Sequence, residues 1–318
     1  MVQNTGYKME LYHKPVMKEE CLRFLDVKPD GIYLDCTVGG GGHSKAILDL
    51  LSSKGRLIGF DKDDEAIKEC SKKFFGDDRV SLVKSDFKVA PQWLKENNLY
   101  GKLDGILIDL GVSSRQLDDK SRGFSYLSDD VLDMRMDRTQ TLTAKTIVNE
   151  YDKQEIYEII KKYGEDKFAQ NIAKNIVSFR QSKPIETTRQ LAEIVDKSIP
   201  YSLKKTGGHP AKRTFQALRI AVNGELDNLD TALTELLRSL KSGGNMVVLT
   251  FHSLEDRIAK QTFAYLESDC ICDKTAPICT CGKVSELRLL TKFLTATPCE
   301  QQENSRSISA KLRAVQKK

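Results

Sequence analysis

The chain has 318 residues, of which 40% are apolar and 30% charged, with 20 Gly and 8 Pro, and its mean hydropathy is −0.41. That composition excludes collagen-like, low-complexity and wholly disordered chains, and no apolar run approaches the roughly 18–20 residues that span a bilayer. The length suits one large domain or two modest ones, and a net charge of +5 is too small by itself to name a partner. Residues 1–14 hold no apolar signal-peptide core, so a cytoplasmic protein is expected.

In chain order, residues 31–36 read as a buried strand followed by a glycine cluster and a helix over 44–51. Residues 56–61 form a second strand and 63–75 a helix. Strands follow at 80–85 and 105–110. Strands alternating with helices imply βαβ units and a parallel sheet. Each strand ends at or near an acid, namely Asp35, Asp61, Asp86 and Asp109, and ligands of open α/β sheets bind outside the carboxyl ends of the strands. Strand-end Asp is also ordinary turn chemistry.

Residues 111–137 read as a long polar loop, 143–199 as helices without strands, and 201–213 as a basic loop. One long amphipathic helix is expected over 214–240, then a strand at 245–251, a helix at 254–266, and strands at 287–294 and 309–315. The expected architecture is an α/β sheet interrupted by a helical domain and then completed. Its parts are residues 1–112, an insert at 113–213, and 214–318.

Charge is unevenly spread. Lys and Arg outnumber Asp and Glu by 14 to 8 over residues 151–219 and by 5 to 1 over 301–318. This suits a polyanionic partner such as nucleic acid, although solvated Lys-rich helix faces give the same count.

The strongest local feature is Asp35-Cys36-Thr37-Val38-Gly39-Gly40-Gly41-Gly42-His43, placed between a strand and a helix. Glycine there lets the backbone turn tightly and approach a ligand. Asp61 follows Gly39 by 22 residues, close to the ~20-residue offset at which an acid holds ribose hydroxyls. The pair points to an adenosine-containing cofactor. An acid at the head of the turn, Asp35, suits the cationic, zwitterionic S-adenosylmethionine better than a pyrophosphate, which argues against a nicotinamide-dependent oxidoreductase. Asp86 and Phe87 are compatible with an adenine site, Phe87 equally with the core. His43 either contacts the cofactor or caps the helix, while His209 and His252 read as structural. No G-x-S-x-G nucleophile elbow is present, so the chemistry belongs to the cofactor.

Cys270-x-Cys272 and Cys279-x-Cys281 are compatible with a four-thiolate zinc site. The C-x-C spacing is less typical than C-x₂-C, and a surface loop of free thiols is the alternative. No residue is assigned to a metal.

Further motifs carry a resemblance. These are His13-Lys14-Pro15-Val16-Met17, the glycine motif through Ser44, Asp109-Leu110-Gly111-Val112-Ser113-Ser114 with Gln116-Leu117-Asp118, Arg122-Gly123-Phe124-Ser125, and Leu132-Asp133-Met134-Arg135-Met136-Asp137. They continue through Tyr163-Gly164-Glu165, Pro184-Ile185, His209-Pro210-Ala211, Arg213-Thr214-Phe215-Gln216-Ala217-Leu218-Arg219 and Phe251-His252-Ser253-Leu254-Glu255-Asp256-Arg257. In this order they resemble the RsmH/MraW family of bacterial ribosomal RNA methyltransferases nearly end to end.

The resemblance implies a class I (Rossmann-like) S-adenosylmethionine-dependent methyltransferase sheet with an inserted all-helical domain. It implies methylation of the N4 amine of one cytidine in the decoding centre of 16S rRNA, within the small ribosomal subunit, by a monomer or homodimer. By the same carry-over, Gly41, Gly42 and His43 contact S-adenosyl-L-methionine, Asp61 binds its ribose, and Phe87, Asp109 and Gln116 complete the pocket.

Arg115 stands where the family often has Pro, and Ile308 interrupts a usually polar stretch. The cysteine cluster occurs in only some members and is not read as catalytic. Many amino-group methyltransferases carry an Asn/Asp-Pro-Pro-aromatic tetrad, where this chain has Asp109-Leu110-Gly111-Val112. No base is assigned, and the candidates are Asp109, Asp133 and Asp137. Lys204, Lys205, Lys212 and Arg213 are expected to bind rRNA phosphates. The competing reading is a non-catalytic RNA-binding ribosome assembly factor.

Overall fold

The computed structural model describes residues 15–201, 209–273 and 278–318. Lys204 and Lys205 lie outside the described residues, as do His13 and Lys14. The chain divides into two compact units. The first runs through Asp61, then Glu65–Leu110 and Asp230–Lys318. The second holds Lys62–Asp64 and Gly111–Leu229.

The first unit is built on seven strands: β1 (Ile32–Asp35), β2 (Arg56–Asp61), β3 (Val80–Lys84), β4 (Leu103–Asp109), β5 (Leu240–Thr250), β6 (Leu287–Thr295) and β7 (Lys311–Lys317). Their order in the sheet is β3-β2-β1-β4-β5-β7-β6. The strands β1 to β5 pair in parallel, and β7 lies antiparallel between β5 and β6. The central strands are almost continuously apolar and buried, as helices on both faces require. Leu57, Ile58, Phe60, Ile106, Leu107 and Ile108 are all inside. The order reverses between β1 and β4, which is where such sheets open a crevice for a ligand. This is the class I sheet that the resemblance implied.

The second unit is all-helical apart from one isolated bridge, Val131 with Thr187, among the described residues. Its own core gathers Ile147, Ile156, Ile160, Ile172, Ile176 and Leu191, the apolar faces of successive helices. Helix ends are set by local chemistry. Asp152 and Thr187 each make a reciprocal capping box with the residue three further on, Glu155 and Gln190, which satisfies otherwise orphaned N–H groups.

Two expectations change. The long helix over 214–240 is two helices, Lys212–Asn223 and Leu229–Ser239. Between them Gly224 and Asn228 take left-handed φ angles of 57° and 53°, which end one helix and redirect the chain before the next. The first of these helices belongs to the second unit, which extends to Leu229. Its Phe215, Leu218 and Val222 are buried in that unit's core.

Residues 111–137 are not one loop either. They hold a short helix, Ser114–Asp118, and a 3₁₀ turn, Lys120–Arg122. Among the described residues no helix is long and apolar enough to cross a membrane.

Candidate functional site

The site is assembled at the carboxyl ends of β1 to β4. After Asp35 the backbone stays tied to the sheet. Cys36 N–H donates to Leu107 O at 2.9 Å and Val38 N–H to Phe60 O at 3.0 Å. Gly39 N–H donates to Asp61 Oδ2 at 2.8 Å, so the acid ending β2 braces the turn that follows β1. Gly41 has φ +69°, and a Cβ on it would sit 2.9 Å from Cys70 Sγ. A Cβ on Gly42 would clash with the Pro15 ring. Glycine is therefore required here by the chain's own packing as well as by any ligand. The helix Gly42–Leu48 starts from this turn.

Asp35 is not available to a cofactor. It is 1% exposed, and its two oxygens accept from Ser44 Oγ at 2.6 Å and Thr37 N–H at 3.1 Å. Burial pushes it up to about 6, against the lowering effect of those two bonds. It is a brace between strand and helix, and the argument from its charge to a cationic ligand does not stand on its geometry. Thr37, inside the glycine motif, ties the two central strands together, since its Oγ1 accepts from Asp109 N–H at 2.8 Å. Neither Thr37 nor Ser44 carries a motif signal of its own.

His43 and Asp109 are the informative pair. Their nearest atoms, Nε2 and Oδ2, are 3.7 Å apart, beyond hydrogen-bonding distance. Both ring nitrogens of His43 and Oδ1 of Asp109 are buried without a hydrogen-bond partner among the described residues. A buried polar atom left unpaired costs about 1–3 kcal/mol, and three together mark a place made for a polar ligand. Burial, followed by the Lys18 charge, lowers His43 to about 4. Burial, followed by the charges of Asp35 and Glu255, raises Asp109 to about 8.

Phe87 opens a 3₁₀ turn just after β3 and is half-buried. Asp86 caps that turn by accepting from Lys88 N–H at 3.0 Å. Gly41, Gly42, His43, Asp61, Phe87 and Asp109 thus all lie in the first unit, in the segments that follow β1 to β4. The described geometry fits a nucleotide-like cofactor with a polar reactive end: a glycine turn held by a strand-end acid, a half-buried aromatic, and unpaired polar atoms.

Gln116 is placed differently. It lies in the second unit, buried, with its Oε1 accepting from Ser113 N–H at 2.9 Å and its Nε2 donating to Asp63 Oδ2 at 2.7 Å. The same Asp63 oxygen accepts from Arg122 Nη2 at 2.8 Å, and that nitrogen also donates to the carbonyls of Arg135 and Met136. A buried guanidinium thus staples the segment 111–137 to Asp63. The capping-box spacing of Ser113 and Gln116 was the available sequence signal for this helix, and nothing in the sequence pointed to Asp63.

The three candidate bases separate clearly. Asp133 meets Arg135 in a two-pronged ion pair with both contacts at 2.8 Å. Although burial opposes it, that guanidinium holds the carboxyl below its usual range. Asp137 accepts from the N–H and hydroxyl of Thr139 and serves as a turn acceptor. Burial raises the proton affinity of Asp109, where Asp133 is held down by Arg135, and Asp109 keeps a buried oxygen without a hydrogen-bond partner among the described residues.

His252 caps the helix Ser253–Glu267 and sets its buried Nε2 3.0 Å from Glu255 Oε1, and His209 accepts from Ala211 N–H and stacks on Tyr126 with centroids 4.6 Å apart.

A parallel five-strand run, an antiparallel strand inserted beside the last of them, and a glycine turn at the strand-order reversal together define a class I methyltransferase core. The profile of the MraW methylase family matches residues 10–318, and the chain belongs to that family. The protein named ribosomal RNA small subunit methyltransferase H of Caldicellulosiruptor saccharolyticus is 51% identical over 306 residues, covering 96% of this chain and 99% of that one. Proteins of the same name from Clostridium botulinum and Symbiobacterium thermophilum are 48% and 49% identical. Each match covers 97% of this chain, with 100% and 98% of the respective relative.

Proposed function

We propose that this protein methylates the exocyclic N4 amine of one cytidine in the decoding centre of small-subunit rRNA. S-adenosylmethionine is the methyl donor, and the protein is an rRNA methyltransferase. The near-full-length relatives named for small-subunit rRNA support the substrate class. The choice of the N4 amine rests on the resemblance of the motifs. The observation that carries the reaction is the set of unpaired polar atoms on His43 and Asp109 beside the glycine turn.

When bound, the donor supplies a methyl group activated by a positively charged sulfur for in-line displacement, a reaction in which positioning does much of the work. The turn through Gly41 and Gly42 would let the backbone come close to the donor, Asp61 would take its ribose hydroxyls, and Phe87 would offer an apolar face to its purine. The cytosine amine is a weak nucleophile because its lone pair is shared with the ring. Asp109 Oδ1 would take the proton that the amine loses on methylation and later release it to solvent. A nearby positive charge favours the carboxylate, so Asp109 is ionised when it is needed. A base inside a duplex is out of reach, so the target nucleotide is exposed or flipped.

The test uses small ribosomal subunits that lack the modification, incubated with the protein and methyl-labelled S-adenosylmethionine. Label recovered as N4-methylcytidine at one site, identified by mass spectrometry of the digested RNA, is the expected result. Label in another nucleoside refutes the N4 assignment. Donor binding without any label favours an assembly factor that binds RNA and does not methylate it.

A further inference from the structure

The segment between the helix Ser253–Glu267 and β6 is long, and it has neither helix nor strand among its described residues. Its base is clamped. Glu286 N–H donates to Leu266 O at 2.8 Å, and Lys283 Nζ donates to Ser268 O at 2.6 Å while lying over the Tyr265 ring. Beyond the clamp its described aliphatic side chains are exposed. Ile271, Ile278 and Val284 are 56%, 74% and 76% exposed. Apolar burial therefore does not order it, and irregular segments of such length in compact domains are usually functional or disordered.

What this segment does contain is four thiols converging on one point. Cys279 Sγ lies 3.6 Å from Cys281 Sγ, Cys272 Sγ 3.9 Å from Cys279 Sγ, and Cys281 Sγ 3.9 Å from Cys270 Sγ. All four sulfurs fall within 4.8 Å of one another. A disulfide would bring two of them to about 2.05 Å, and all four are free thiols. A regular tetrahedron of sulfurs around zinc, with bonds of about 2.3 Å, has edges of about 3.8 Å. These three separations bracket that value, and the remaining ones stay within 4.8 Å.

We propose that Cys270, Cys272, Cys279 and Cys281 bind one zinc ion as a tetrathiolate that orders this segment. A closed set of four protein ligands leaves no open position, so the ion's role is structural. Soft thiolates select zinc over calcium or magnesium. A site of this edge length holds a single ion, not an iron–sulfur cluster.

The surrounding backbone is already arranged for anionic sulfur. Ile271 N–H donates to Cys281 Sγ and Cys272 N–H to Cys270 Sγ, each at 3.4 Å. Each zinc–sulfur bond that forms replaces an S–H bond or takes an existing thiolate. The displaced protons pass to solvent, so affinity falls as pH drops.

The test starts from the full chain purified under reducing conditions, with zinc and iron measured by elemental analysis. About one zinc per chain is expected, lost in Cys279→Ser and in Cys270→Ser. It is kept in Cys299→Ser, which removes an exposed thiol outside the cluster. A second measurement needs no variant: wild-type chain stripped of metal and titrated with cobalt(II) is expected to develop sulfur-to-cobalt charge-transfer absorption and tetrahedral d–d bands. Zinc retained by both cluster variants, iron in place of zinc, or a stripped chain without cobalt–thiolate absorption would each overturn the proposal.

Discussion

His43 Nε2 and Asp109 Oδ2 face each other at 3.7 Å without a hydrogen bond, and burial leaves both uncharged at neutral pH. The histidine is lowered to about 4 and the aspartate raised to about 8. In the ligand-free state the site therefore favours a protonated Asp109 and a neutral His43.

Binding of the positively charged donor near Asp109 favours its carboxylate, so donor binding at pH 7 is expected to release a fraction of a proton to buffer. Calorimetry in buffers of different ionisation enthalpy measures it. The sign follows from the raised value. Release is largest between the lowered value of the donor-bound state and about pH 8; it fades above, where the proton has already gone, and at lower pH, where Asp109 stays protonated in both states. S-adenosylhomocysteine, whose sulfur is uncharged, is expected to release less, and Asp109→Asn to abolish the difference. Equal release by both ligands in the wild type refutes the assignment.

The Arg122 guanidinium is buried, with its side chain 1% exposed against 8% for Asp63. Removing one member of a buried pair costs about 3–5 kcal/mol. Arg122→Ala is expected to destabilise the second unit by that order. Amide hydrogen exchange should show the loss at Ile147, Ile172 and Ile176, whose helices form its core. The double variant Arg122→Met with Asp63→Asn is expected to recover part of it, because no buried charge is left over. A single variant as protected as the wild type would show that the pair is not a staple.

Neutralising Lys204, Lys205, Lys212 and Arg213 together is expected to weaken rRNA binding and to flatten its salt dependence. Each phosphate contact contributes roughly 0.7–0.9 to the log–log slope. Up to four contacts would therefore lower it by about 3. Arg213 already donates to Glu165 O at 3.0 Å, so part of its effect is structural, and the other three carry the slope. Filter binding across a salt series is the measurement, and an unchanged slope refutes the basic segment as the RNA contact.

The strands were legible wherever buried apolar runs ended in an acid. The strand expected at 56–61 is β2 to the residue, and β1, β3 and β4 differ from their expected spans by at most two positions at either end. Short helices such as Lys18–Leu25 and Pro298–Glu303 escaped, because two turns carry too few apolar positions to declare a period. The helix expected at 214–240 failed for a related reason. Its two halves are each amphipathic, and only the backbone shows that Gly224 and Asn228 turn left-handed between them. At the site, Gly41, Gly42 and Asp61 were readable from spacing. The commitment of Asp35 to Ser44 and of Gln116 to Asp63 was not, since a polar pair 53 residues apart leaves no periodic trace.

The strands β4 and β5 are neighbours in the sheet, yet one ends at Asp109 and the other begins at Leu240. A ribosome adding about 5–20 residues per second takes on the order of ten seconds to deliver the chain between them. Throughout that interval β1 to β4 form half a sheet with an open edge along Leu103–Asp109, a template for pairing with other nascent chains. The helical unit, whose contacts are local, closes its core first. The order of synthesis thus makes the β4 edge the place where chaperone protection of this chain is most needed.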